Sequence, residues 1–274
     1  MIEILFFLIA PFVGGLIYGL ERVVRARMQR RIGPPILQPF YDMFKLIQKE
    51  PFIVNQYHII FGIFHFITLW IVVGMLIFGG NLLYVVFIHL FSTIFIILAG
   101  YSTKSIYSHI GSNRELLSIL AYEPILILIA SGFYLINGSF EISAIRESSH
   151  YLQTMPLLFL AMLLIVPIKL KKSPFDATEA HQEIVGGVEV EYSGVFFEFL
   201  YMAKWIEYIF IYMLVFLFAG DNIILGIVLC LIVFILVNLV DNATARVKIN
   251  HLVKIALIIG LVLSVLNIFG IVYV

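Results

Sequence analysis

Four ionisable residues sit inside apolar runs of the sequence, where a charge is expensive: Glu123, Glu198, Lys204 and Glu207. A charge at the centre of a membrane span costs roughly 2.5–3.5 kcal/mol on insertion scales. Four left unpaired against lipid would cost on the order of 10 kcal/mol, so these side chains must face protein or water. Lys204 and Glu207 are three apart and can meet on one helix face as an ion pair. Glu198 instead shares a face with Glu191, seven residues earlier, provided the helix begins that soon. A row of carboxylates leading inward from a loop can hand protons along when burial raises their proton affinity. Relay or coupling is the reading for Glu123, Glu191 and Glu198; the competing one is pairing with basic residues on neighbouring chains. For Lys204 and Glu207, structural pairing competes equally. Asp241 ends an apolar run near Arg246, which suits a helix-end salt bridge.

A second group of acids lies outside the apolar runs. Between Lys169 and Ser193 the chain carries Asp176, Glu179, Glu183, Glu189 and Glu191, together with His181. They form either a solvated acidic connector or the outer part of the same relay. His58, His65, His89 and His109 lack metal-ligand spacing and read as non-ligands. The single cysteine, Cys230, cannot make an internal disulfide or supply a metal or iron–sulfur site alone. Gly-rich phosphate loops, Cys-x-x-Cys pairs and nucleophile elbows are missing from the sequence. Gly14, Gly15 and Gly19 suit close helix packing, and Gly186-Gly187 suit packing or a turn. No active site is expected within the isolated chain.

The elements that hold these groups follow from composition. The chain has 274 residues, 62% hydrophobic and only 12% charged, against roughly 25% charged in soluble domains. The bilayer must be the solvent. Apolar runs of about twenty residues, the length that crosses a ~30 Å hydrocarbon core, occur at Ile4–Leu20, Ile59–Phe78, Leu82–Tyr101, Leu116–Ile136, Leu152–Leu170, Gly194–Ala219, Ile223–Val240 and Leu252–Val272. Backbone polar groups in lipid must be satisfied internally, so these runs are expected to be helices. An all-α integral membrane protein of about eight spans, one membrane domain over 1–274, is the expected fold. Glu3 before the first run and Arg22, Arg25 and Arg27 after it argue for a retained span rather than a signal peptide.

Charge asymmetry supplies the orientation. Fifteen of the 17 basic residues fall in odd-numbered loops; Arg146 alone lies in an even-numbered loop and Lys204 within a run. The positive-inside rule then puts the odd loops in the cytoplasm and both termini outside. Loops one (21–58) and five (169–193) are the long cytoplasmic ones. In the first, Phe40, Met43, Phe44 and Ile47 recur at helical spacing, opposite Asp42, Lys45, Gln48 and Lys49, which suits a short helix in the membrane interface. The 17 basic and 17 acidic residues cancel, so nucleic acid is not an expected partner.

Motifs in these loops carry a resemblance. The first reads Glu21-Arg22, Gln29-Arg30-Arg31-Ile32-Gly33-Pro34, Leu37-Gln38-Pro39, Asp42, Lys45-Leu46 and Lys49-Glu50. The fifth reads Ser173-Pro174-Phe175-Asp176, Glu179-Ala180, Glu183-Ile184-Val185, Gly187 and Glu191-Tyr192-Ser193-Gly194. Span four carries Arg114 and Ala121-Tyr122-Glu123. From about residue 14 to residue 254 this resembles the membrane subunit of respiratory complex I that floors the quinone chamber. The departures are specific. Only Pro35 and Ile36 separate Gly33-Pro34 from Leu37-Gln38, where that family usually has about six more residues. His181 stands where it tends to have a middle acid, and Lys204-Trp205 where it has Glu-Tyr. Arg114-Glu115, Glu123-Pro124 and Ala180-His181-Gln182-Glu183 look instead like the energy-converting, complex I-related membrane-bound hydrogenases and the related sulfane-sulfur reductase, which do not use a membrane quinone. Ile- and Phe-rich spans suit a thermophilic archaeon.

The resemblance implies a multi-pass protein of the cell membrane that anchors a peripheral redox arm. Implied partners are hydrogenase-like large and small subunits, an iron–sulfur subunit, antiporter-like membrane subunits and, for the whole complex, ferredoxin. This chain would hold no cofactor; iron–sulfur clusters, with or without a nickel–iron site, would lie on partners. Arg22, Arg25, Arg30 and Arg31, with Asp42 and Lys45, would dock the arm. Signals from the last cluster would pass the acidic loop (Asp176, Glu179, His181, Glu183, Glu191) into Glu198 and Glu123, with Lys204, Glu207 and Asp241 alongside. A quinone-site subunit of an NADH or ferredoxin oxidoreductase is the first alternative. A stand-alone secondary ion transporter is the second, although the sequence lacks the internal repeats such folds often show.

Overall fold

A computed structural model describes residues 2–148 and 150–273. Regular structure among these residues is helical, apart from one isolated antiparallel bridge between Asn81 and Glu141. Seven helices among them are long and apolar enough to cross a bilayer: α1 (Ile2–Met28), α3 (Gln56–Ile77), α4 (Leu82–Tyr101), α5 (Ile106–Asn137), α10 (Gly194–Leu217), α11 (Ile223–Ala243) and α12 (Ile249–Tyr273). Between them lie α2 (Gln38–Gln48), α6 (Ile142–Glu147), α7 (Tyr151–Thr154), α8 (Pro156–Lys169) and α9 (His181–Ile184). The chain is a multi-pass membrane protein.

Local chemistry sets many of the boundaries. Asn55, Asn81 and Asn222 cap α3, α4 and α11, each side-chain oxygen accepting backbone N–H bonds of the first turn. Gly138, at φ +70°, ends α5 in the left-handed conformation that favours glycine. Arg146, the lone basic residue of the even-numbered loops, donates to the carbonyl oxygens of Leu76 (2.6 Å) and Ile77 (3.3 Å). Its charge therefore serves the negative C-terminal end of α3.

Three spans differ from the sequence expectation. The run Leu152–Leu170 is not one helix: it breaks at Met155, and α8 has only 14 residues, about 21 Å at 1.5 Å per residue. Asn267 on α12 repairs the break. Its Oδ1 accepts from the N–H groups of Leu157 and Leu158, both at 2.9 Å, and its Nδ2 donates to Thr154 O at 3.0 Å. Span four begins at Ile106 rather than near Leu116, so Arg114 and Glu115 lie in its interior. Likewise α1 continues to Met28, which makes Glu21 and Arg25 helical.

The main apolar cluster of the core is built from Val72 and Leu76 of α3, Val85 of α4, Ile125 and Phe133 of α5, Ile165 of α8 and Phe210 of α10. A smaller one joins Ile96 and Ala99 of α4 to Val188, Tyr192 and Leu200. Outer faces invert the soluble pattern: Ile224, Leu231 and Leu239 of α11 are more than half exposed, as lipid-facing side chains should be. Helix α10 lies centrally, against α1, α3, α2, α11 and α8. Its contact with α1 is close, because a Cβ on Gly14 would collide with the carbonyl oxygen of Trp205.

Candidate functional site

The segment after α8 turns back over the bundle, and its charges point inward. Lys204, one turn beyond Leu200 on α10, places Nζ 2.8 Å from Glu189 Oε1 and 3.0 Å from Glu179 Oε2. Glu179 Oε1 accepts from Lys171 Nζ at 2.8 Å, and Lys171 also pairs with Glu115 of α5. Acid and base alternate along this row from Glu115 to Glu189. A second cluster centres on Glu21 of α1, which takes Lys172, Arg25 (2.8 Å) and the Tyr208 hydroxyl. Arg25 continues to Asp241 of α11 at 2.7 Å, and Asp241 accepts the Ser173 N–H at 2.9 Å. A third is deeper: Lys169 Nζ lies 2.9 Å from Glu207 Oε1 and 3.1 Å from the Tyr122 hydroxyl, over the Tyr122 ring. Nearer the surface, Arg246 makes a two-pronged bond to Asp176 at 2.9 and 2.7 Å, and Arg114 pairs with Glu183 at 2.8 Å.

These clusters surround a half-open cavity of about 320 Å³, walled by Lys171, Glu179, Glu189, Lys204, Glu207 and Tyr208 among others. Proton affinities in its roof are unequal. Burial disfavours the Lys171 cation, but Glu115, Glu179 and Glu189 outweigh it and hold the ammonium well above the ordinary lysine range. Burial would raise Glu179, yet Lys171 and Lys204 hold its carboxyl far below the usual value. Glu189 has fewer cations; burial and the Glu179 carboxylate push it up to about 7. Lys172 is lowered, because burial exceeds what Glu21 returns. The roof thus contains a carboxyl that titrates near neutrality beside one fixed as an anion.

Several expected pairings are not the ones made. Lys204 reaches Glu179 and Glu189 rather than Glu207, which turns instead to Lys169 and His89. Residues three apart on one helix can meet, but here non-local carboxylates sit closer to the ammonium. Asp241 bonds Arg25 rather than Arg246, which is taken by Asp176. The register linking Glu191 to Glu198 needed α10 to begin by Glu191; it begins at Gly194, after a 3₁₀ turn. Lys169 and Lys172, read from the sequence as loop cations, are 9% and 8% exposed and belong to the interior network.

Glu123 and Glu198 are buried, at 5% and 4% exposure, and among the described residues their carboxyl oxygens have no hydrogen-bond partner. Glu123 follows Tyr122, the ligand of Lys169. Glu191 is half-buried and His181 exposed on the cavity wall. Of the surface set, Arg22 binds Asp42 at 3.1 Å, Arg30, Arg31 and Lys45 are exposed, and Arg25 is turned inward. On α2, Met43 is buried while Phe44 and Ile47 are about half exposed. Sequence reasoning missed Glu21, Glu115, Lys169, Lys171, Lys172, Tyr208 and His89. Glu21 and Glu115 each stand beside an arginine at the margin of an apolar run, the one local signal that marked them.

Comparisons with known proteins agree on a family. A family model described as NADH dehydrogenase matches residues 2–272. The H subunit of the NADH-quinone oxidoreductase of Geobacillus kaustophilus (strain HTA426) is 30% identical over 224 residues, covering 73% of this chain and 67% of that protein. The NADH-ubiquinone oxidoreductase chain 1 of Mycosarcoma maydis is 33% identical over 208 residues, 68% of this chain and 63% of that one. The chain thus spans about two thirds of the length of these relatives. Among solved structures, a chain of the membrane-bound sulfane sulfur reductase, an archaeal respiratory membrane complex, superposes with a TM-score of 0.87 and 23% identity, covering 98% of both chains. That likeness is one of fold.

Proposed function

Because the chain belongs to the NADH dehydrogenase family, as a membrane subunit of the same type as the H subunit, or chain 1, of complex I, we propose that it anchors the redox arm of a ferredoxin-dependent respiratory complex, hydrogen-evolving or sulfur-reducing, and couples electron transfer there to H⁺ or Na⁺ translocation. The observation that carries this reading is Lys204 between Glu179 and Glu189, at the head of a cavity that continues to Glu207. One cation shared by two carboxyls of unequal proton affinity is a switchable element. A unit charge appearing ~10 Å away changes the cost of protonating Glu189 by about 1.7 kcal/mol at an effective dielectric constant near 20. That is enough to move a carboxyl poised near neutrality between its charged and neutral forms while Glu179 stays an anion. Proton uptake at Glu189 frees Lys204 to favour Glu179, and the changed field reaches Glu207, Lys169 and the buried Glu123. Glu198, buried on the same helix as Lys204, and Glu191 are not among the residues that wall the cavity.

Peripheral hydrogenase-like subunits and an iron–sulfur subunit would sit over the basic end of the bundle, at Arg22, Arg30, Arg31 and Lys45, with antiporter-like subunits beside it in the membrane. Iron–sulfur clusters belong to those partners. The trimmed first loop and full-length likeness to the sulfane sulfur reductase chain favour an acceptor other than a quinone. A quinone-site subunit is the second reading, favoured by the names of the curated relatives. Purification in gentle detergent tests the assignment. An assembly containing iron–sulfur subunits, with turnover insensitive to quinone-site inhibitors, is the expected result. A chain that purifies alone or as a homo-oligomer refutes it and points to a transporter; inhibitor-sensitive turnover selects the quinone reading.

A further inference from the structure

His89 stands behind the cavity wall, next to the lining residue Glu207 and not itself in the lining. It sits on α4 with a fully buried side chain, its ring stacked on Phe210 at 4.3 Å between centroids and 9° between planes. Its Nε2 is 3.2 Å from Glu207 Oε1, the same oxygen that Lys169 Nζ approaches to 2.9 Å. Among the described residues its Nδ1 has no hydrogen-bond partner. Glu207 lines the cavity and His89 does not. One carboxylate oxygen therefore serves two nitrogen groups, one a permanent cation and the other an imidazole that can hold one proton or two.

We infer that His89 is a proton-loading site, filled from the cavity through Glu207, whose charge state is felt by Lys169. The inference rests on the coupling role proposed above and adds a residue to it. In the unloaded state Glu207 is a carboxylate shared with the Lys169 ammonium and the ring is neutral, its Nε2 lone pair toward Oε1. Loading begins when Oε1 takes a proton from a hydronium ion in the cavity, which leaves as water. It then breaks the Oε1–H bond and forms Nε2–H. The products are an imidazolium and a Glu207 carboxylate shared with the Lys169 ammonium. Unloading returns the proton by the same route, and no electron is involved. A second cation on Oε1 weakens the hold on Lys169, which keeps its bond to the Tyr122 hydroxyl at 3.1 Å. Tyr122 adjoins Glu123, so loading reaches the buried carboxyl that follows it. The titratable groups around the ring are Glu207 on α10, Lys169 on α8, Tyr122 and Glu123 on α5, and, across the cavity wall, His65 on α3.

The stacked, enclosed ring also has an unmet Nδ1. A bland buried position would be filled at least as well by a phenylalanine, which leaves no polar atom stranded. A structural histidine predicts that Asn, which keeps a polar group there, behaves like the native residue. A loading site predicts that Asn fails, because an amide does not titrate near neutrality.

The test uses the intact complex in sealed vesicles, reduced with dithionite and followed by infrared difference spectroscopy with ring-labelled histidine. The expected result is an isotope-sensitive imidazole band on reduction, absent in His89→Asn, together with loss of one limb of the pH profile of ions moved per electron. No isotope-sensitive band in the native complex overturns the inference, as does a band and pH profile unchanged in His89→Asn. Glu123→Gln run in parallel separates the two claims: if it uncouples while His89→Asn is normal, only the loading site fails. If neither variant alters coupling, the functional reading fails with it.

Discussion

Lys204 and Glu207 are one helical turn apart on α10, yet they face different partners: Lys204 the roof carboxylates, Glu207 the deeper Lys169. The helix thus connects two charge clusters through the bundle rather than closing one local pair. A local pair would be electrically quiet. Two clusters on one rigid element, each with partners from other helices, let a change at the roof be felt below.

The roof should titrate. Burial and the Glu179 anion raise Glu189 from the ordinary glutamate value of 4.5 to about 7. A raised carboxyl binds more protons folded than unfolded, so its contribution to stability is fully present below the unfolded value of about 4.5 and disappears as pH rises through about 7. Thermal unfolding of the purified complex, compared at pH 6 and pH 8, should show a loss of stability that Glu189→Gln reduces. An identical pH dependence in the variant would contradict this. Glu179 has the opposite sign, its stabilisation being lost only on strong acidification, so it does not mask the effect in that window.

Glu21 holds the second cluster together. Replacing it with Gln leaves Lys172 and Arg25 with Asp241 as the remaining acid in that cluster. Breaking one partner out of a buried ionic cluster costs about 3–5 kcal/mol. Glu21→Gln should lower the unfolding temperature markedly, more than Glu183→Gln, whose side chain is 49% exposed. Equal melting temperatures for the two would refute the buried-cluster account.

Asn267 should matter for stability and not for coupling. Asn267→Ala strands the N–H groups of Leu157 and Leu158, at about 1–3 kcal/mol for each unmet buried donor. A lower unfolding temperature with an unchanged ion-to-electron ratio is expected. A changed ratio at native stability would place Asn267 in the coupling path instead.

Gly14→Ala should impair assembly, since its Cβ would collide with the Trp205 carbonyl oxygen and force α1, with Glu21 and Arg25, away from α10. The yield of intact complex in membranes is the measurement. Normal yield would show that α1 can shift without cost.

Much of this architecture is legible in the sequence because it is local. The extent of α4 follows from its apolar run and the Asn81 cap. The start of α5 is not, because its first turns carry Ser108, Ser112, Asn113, Arg114 and Glu115. A hydropathy reading sees a loop there, whereas the helix is shielded by protein rather than lipid. The break at Met155 hides in an apolar run, since its cap, Asn267, comes from 110 residues away. Site residues divide the same way. Periodicity flags Glu123, Glu198, Lys204 and Glu207 as costly in a membrane, but it offers only neighbours on the same helix as partners. The actual partners of Lys204 are 15 and 25 residues distant, and those of Glu21 reach 187 residues along the chain. Lys169, Lys171 and Lys172 look like an anchor of positive loop charge until the fold turns them inward.

The most direct test of the coupling account is the number of ions moved per electron by the intact complex in sealed vesicles when Glu123 is replaced by Gln. Glu123→Gln is nearly isosteric and removes the only charge from a carboxyl that lacks hydrogen-bond partners among the described residues. The account predicts assembled complexes that still transfer electrons and move fewer ions per electron. An unchanged ratio at unchanged turnover would contradict it.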